Sequence, residues 1–191
     1  MGKIYYMFIC SLSLVEIMKT IEKFENLFKN LKVANAKKDK YNADGAPHKP
    51  ILLLSLIKLY EKGKLDLSNI DPEIVLARNS DLKAFSKELW RDLGYERRFN
   101  FAFPFYYLKD EDFWKMKLRN DFQSPIPKNK KNPSLKDLKW RIEKVYLENE
   151  LIELLENKKD RRRLIKALLS GKKVEWFNER DKKIVKQKMG L

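Results

Sequence analysis

The sequence predicts a mostly helical α+β fold. Over most of the chain, apolar residues recur at the three- and four-residue spacing of helices that bury one face. One segment, residues 101–117, is instead crowded with aromatic strand formers. Glycines, prolines and short polar clusters fall between these stretches and separate them. The 191 residues suffice for one good core, and 43% hydrophobic with 12% aromatic content fits a globular chain.

The first clean helical pattern runs over residues 20–31, through Ile21, Phe24, Leu27, Phe28 and Leu31. Residues 1–17 precede it as a peripheral extension (18 is a second possible start, at Met18). The opening superficially looks like a signal peptide, but it has no small-residue cleavage site and is too short to span a bilayer. Residues 37–44 are polar and turn-like. Pro50 then sits in the first turn of a helix, where its missing N–H is not needed and its fixed φ is already helical. Residues 51–59 are apolar on nearly every side, which predicts a helix buried on most faces.

Gly63 stops that helix, and Lys64-Leu65-Asp66-Leu67 reads as a short strand. Asp71-Pro72 starts a further helical stretch through Leu93, broken at Asn79-Ser80-Asp81 and ended by Gly94. A β-hairpin follows, residues 104–109 paired with 113–118, with Lys109-Asp110-Glu111-Asp112 as its turn. The Pro/Asn/Lys-rich residues 122–133 form a connection. Ser134 caps a long helix through Leu155, and Asp160 opens another that ends at Gly171. Helix, short strand, helix, helix and hairpin is the order of a winged-helix-like core, with C-terminal helices added. The expected organisation is a domain over residues 18–170, with a winged-helix-like part at 18–122 and a helical part at 134–170. A basic tail at 171–191 completes it.

Lysine and arginine number 42 against 27 acidic residues, a net charge of +15. Such an excess favours a polyanionic partner, nucleic acid first. The single cysteine, Cys10, excludes an internal disulfide and a cysteine-based zinc site, and fits a reducing, cytoplasmic setting. With one histidine, His48, a histidine-rich metal site is excluded too. No cofactor and no membrane partner are expected.

Two motifs carry chemistry. Gly45-Ala46-Pro47-His48-Lys49-Pro50 places a histidine and a lysine at the positive end of the buried helix, a ready anion site. The plainer reading is that both side chains cap the helix and meet solvent or a carboxylate. Phe103-Pro104-Phe105-Tyr106-Tyr107 is the second. On a strand, successive side chains alternate faces, so some of Phe103, Tyr106 and Tyr107 must be exposed or line a cleft. Arg97-Arg98 precedes this run. Lys158-Lys159 with Arg161-Arg162-Arg163 forms another basic cluster, plainly read as a solvated helix face. No catalytic constellation is evident. Asp110, Glu111 and Asp112 are explained by the turn, and one histidine cannot supply a ββα nuclease.

The stretch Ala46 to Leu54, followed by Phe103-Pro104-Phe105-Tyr106-Tyr107-Leu108-Lys109 and Phe113-Trp114, resembles a known family. It is similar to the sulfur-recognising domain that precedes an HNH nuclease domain in restriction endonucleases acting on phosphorothioate-modified DNA. The resemblance covers roughly residues 18–170. It implies a small apolar pocket for the sulfur, formed by His48, Lys49, Phe103, Pro104, Tyr106 and Tyr107. It further implies phosphate contacts from basic residues, here Lys40, Lys49, Arg97, Arg98 and Arg119. Sulfur is larger and less strongly hydrated than oxygen, so burying it against proline and an aromatic edge costs less. Family members usually carry tyrosine before the pocket proline, where this chain has Phe103. No HNH segment follows, so a nuclease is expected to be absent, lost, or supplied by a separate partner.

The sequence therefore predicts a non-catalytic protein that binds double-stranded, phosphorothioate-modified DNA in a restriction-modification context. The alternatives are a generic winged-helix DNA-binding protein and the remnant of a restriction endonuclease that has lost its nuclease. An unrecognised nuclease and a protein-interaction module are further alternatives.

Overall fold

The computed structural model describes residues 14–31, 47–95, 99–171 and 176–191. The chain is mostly helical α+β, with an antiparallel strand pair and C-terminal helices, as the sequence predicts. Helix α1 (Leu14–Lys29) begins inside the expected N-terminal extension, so residues 14–17 belong to the helix. Helix α2 (His48–Glu61) is the buried centre, with Pro50 through Ile57 all withdrawn from water. Gly63, at φ +66°, turns the chain after it, a conformation that favours glycine.

Asp71 caps the short helix α3 (Pro72–Val75), its carboxylate accepting from the Glu73 N–H at 2.7 Å. Ser80 caps α4 (Asp81–Asp92) by accepting from the Lys83 N–H. These local signals were legible in advance, and so was Gly94 after α4. The expected strand at 64–67 contracts to one bridge, Ile70 with Val145, beside a Leu147 N–H to Leu67 carbonyl bond.

The hairpin is where expectation and structure part. Residues expected as its first arm form helix α5 (Ala102–Tyr107), followed by a 3-10 turn at Leu108–Asp110. Asn100 accepts from the Ala102 N–H at 3.1 Å, and Pro104 falls in the first turn, where no N–H is required. A helix spreads the aromatics around its circumference: Ala102, Pro104 and Phe105 go inward, while Phe103 stacks on Tyr107 one turn away.

Strand β1 (Trp114–Leu118) therefore pairs with a distant partner, β2 (Ile142–Leu147), from Trp114–Leu147 to Leu118–Ile142. The long helix expected from Ser134 stops early, as α6 (Leu135–Arg141). An irregularity between Lys117 and Leu118 leaves Glu143 unpaired and re-phases β2, so Ile142, Val145 and Leu147 are all buried.

Helix α7 (Asn149–Glu156) and α8 (Lys158–Leu169) close the other side, both packing on α1. The connection at 122–133 does not divide the hydrophobic core, which is continuous from Ile21 to Met189. The expected basic tail contains an ordered helix, α9 (Glu179–Met189), capped by an Asn178–Asp181 box and docked on α4. Val185 and Met189 are buried there, and Lys188 pairs with Glu88 and Asp92 of α4. Among the described residues no helix is long and apolar enough to cross a membrane.

Candidate nucleic-acid interface

His48 is the first residue of α2, after Pro47, which has no capping side chain. Its imidazole stacks on the Trp90 indole of α4, ring centres 4.6 Å apart and planes 21° off parallel. Phe99 lies 5.1 Å away, and Trp90 in turn stacks on Tyr95 at 4.1 Å. Burial among these rings pulls the His48 pKa down from 6.5 to about 4. At neutral pH the ring is uncharged, and its buried Nδ1 has no hydrogen-bond partner among the described residues. The expected hydrogen-bonding group is thus a neutral aromatic one, with one ring nitrogen unused.

Lys49 is not the free point charge that its neighbourhood suggested. Its Nζ lies 2.7 Å from Glu111 Oε1, with side-chain exposures of 11% and 3%. The lysine cannot leave without breaking a buried ion pair, which sets it apart from a surface phosphate contact. Glu111 is correspondingly no solvated turn residue; it is the inward-facing member of the acidic trio.

Helix α5 packs against α2, so the two motifs fall on adjoining helices. Pro104 is buried, whereas Phe103, Tyr106 and Tyr107 are half-buried. Tyr106 meets Tyr107 edge-on at 5.0 Å and carries the Lys109 Nζ 4.9 Å above its ring. Phe105 anchors the helix inward, edge-on to Trp114 at 5.3 Å. The expectation that part of this aromatic run stays accessible holds, on a helix instead of a strand.

Of the expected phosphate contacts, Lys40, Arg97 and Arg98 lie outside the described residues. Arg119 is half-buried and its Nη2 is 3.2 Å from Glu73 Oε1. Within the basic cluster on α8, Arg161 donates to the Leu155 and Glu156 carbonyls and pairs with Glu61, while Arg163 pairs with Glu25. These two arginines tie α8 to its neighbours. Lys158, Lys159, Arg162 and Lys166 keep a solvated basic face.

Sequence reasoning missed an open cleft of about 1110 Å³ beside α3, α4 and α6. Its cations are Arg78, Lys83, Lys87, Lys136 and Lys139; its aromatics are Phe99, Phe101 and Trp140. Lys83 is spoken for, donating to the Leu76 carbonyl at 2.7 Å beneath the Phe101 ring. Glu73, the one carboxylate of the lining among the described residues, is the partner of Arg119. Phe99 belongs to both places: it touches the His48 ring and walls the cleft. A tryptophan outside the apolar stripe of a lysine-rich helix was the available signal.

No family model matches the chain, and no curated protein matches it.

Proposed function

We propose that this protein binds DNA without cutting it, reading a phosphorothioate in the backbone of a duplex. The apolar surroundings of His48 and the adjoining α5 aromatics would receive the sulfur, and the cations of the cleft would hold flanking phosphates. The observation that carries the reading is Phe99, which joins a neutral, aromatic-packed histidine to a strongly basic cleft. A net charge of +15 supplies the long-range attraction.

Neutral His48 suits a soft, weakly hydrated atom better than an oxyanion. A phosphate oxygen in the same place would shed its water and gain no full charge in exchange. One atom's difference in such a setting is worth about 1–3 kcal/mol, so most affinity would come from salt-sensitive phosphate contacts. With Lys49 committed to Glu111, those contacts fall to Arg78, Lys87, Lys136 and Lys139. Among the described residues none of these four has a carboxylate partner.

The test is a pair of duplexes identical except for one sulfur, titrated with the full chain at moderate salt. Tighter binding of the sulfur duplex is expected. Equal affinity for both would leave a generic DNA-binding protein, and no binding to either would remove nucleic acid altogether.

A further inference from the structure

We infer that the cleft beside α6 takes an unpaired nucleotide, its base stacked on Trp140 and its flanking phosphates held by Arg78, Lys87, Lys136 and Lys139. This rests on the nucleic-acid half of the reading above and not on its sulfur half.

Trp140 stands apart from the other tryptophans. It is 67% exposed, whereas Trp90, Trp114 and Trp176 are 5%, 2% and 8% exposed. Helix α6 buries Leu138, and its Ser134 cap fixes the first turn at 3.1 Å, so the direction of Trp140 is set by a rigid element. Lys136 lies one turn from Trp140 on the same face. Among the described residues the indole stacks on no other ring.

A large apolar ring placed in water and bordered by unpaired lysines fits one kind of occupant well. A nucleic-acid strand offers a flat π face and anionic oxygens a few ångströms away, and each meets its complement here. An apolar protein partner would have to desolvate the same cations without neutralising them. The base must be unpaired, because in an intact duplex its faces are covered by stacked neighbours.

The experiment titrates the full chain with an unmodified oligothymidylate and with an abasic strand of equal length, following tryptophan fluorescence and anisotropy. Oligothymidylate should quench the exposed indole and bind about tenfold tighter than the abasic strand. Trp140→Ala should abolish that preference, binding both strands alike, while Trp140→Phe retains most of it. Because Trp140 is exposed, neither substitution removes core packing. Unchanged oligothymidylate affinity in Trp140→Ala, or equal wild-type affinity for thymidylate and abasic strands, would overturn the proposal. A sulfur preference between matched duplexes should survive in Trp140→Ala, so the two proposals fail separately.

Discussion

Lys49 Nζ and Glu111 Oε1 meet at 2.7 Å, almost wholly out of water, and join the first turn of α2 to the turn that follows α5. The pair joins residues 62 positions apart in the chain. A role in holding α5 against α2 follows directly, because removing either charge takes a buried ion-pair partner from the other.

Single substitutions of this pair should therefore be severe. Lys49→Met or Glu111→Leu alone should lower unfolding free energy by about 3–5 kcal/mol, and the double substitution should recover most of it. Urea unfolding of the three variants measures this. If the folded double variant also binds DNA as wild type does, Lys49 holds the site together without touching phosphate.

His48 predicts a pH dependence of stability. Its pKa is about 4 in the folded protein against 6.5 ordinarily, so the unfolded chain takes up the proton first as pH falls. The stability contributed by the neutral ring is full above the unfolded value and is lost between 6.5 and about 4. The depression corresponds to about 3 kcal/mol. The difference in stability between wild type and His48→Gln, followed from neutral pH to pH 4, should shrink by that order. A difference that stays flat would mean that the ring titrates normally.

Much of the fold was legible because its signals are local. Asp71 before Pro72, Ser80 before α4 and Gly63 at positive φ each do their work within a few residues. Residues 142–147 were not legible. Ile142, Val145 and Tyr146 satisfy a helical spacing as well as a strand, and the choice is made by pairing with 114–118 and Ile70. The same holds for the site. His48 and the α5 aromatics stood out by composition, whereas the commitment of Lys49 to Glu111 exists only in the folded chain. Trp140 lies off the apolar stripe of its helix, and only the folded chain shows that the cleft cations gather beside it.

The cleft cations should appear in the salt dependence of DNA binding. Replacing Lys87, Lys136 or Lys139 by glutamine should weaken binding to all duplexes alike and reduce the slope of log affinity against log salt by about one each. The same change at Lys182, which is paired with Glu179 on α9, should leave the slope unaltered. Slopes measured over a salt series distinguish the two faces.

The most direct measurement is a cycle of four affinities: wild type and a Pro104→Ser variant, each with a duplex carrying one phosphorothioate and with its oxygen twin. Pro104 is buried in α5, and the cycle cancels any general loss of folding or charge. The account predicts that wild type favours the sulfur duplex by about tenfold or more and that the variant loses most of this preference. Identical sulfur preference in both proteins, or none in either, would contradict it.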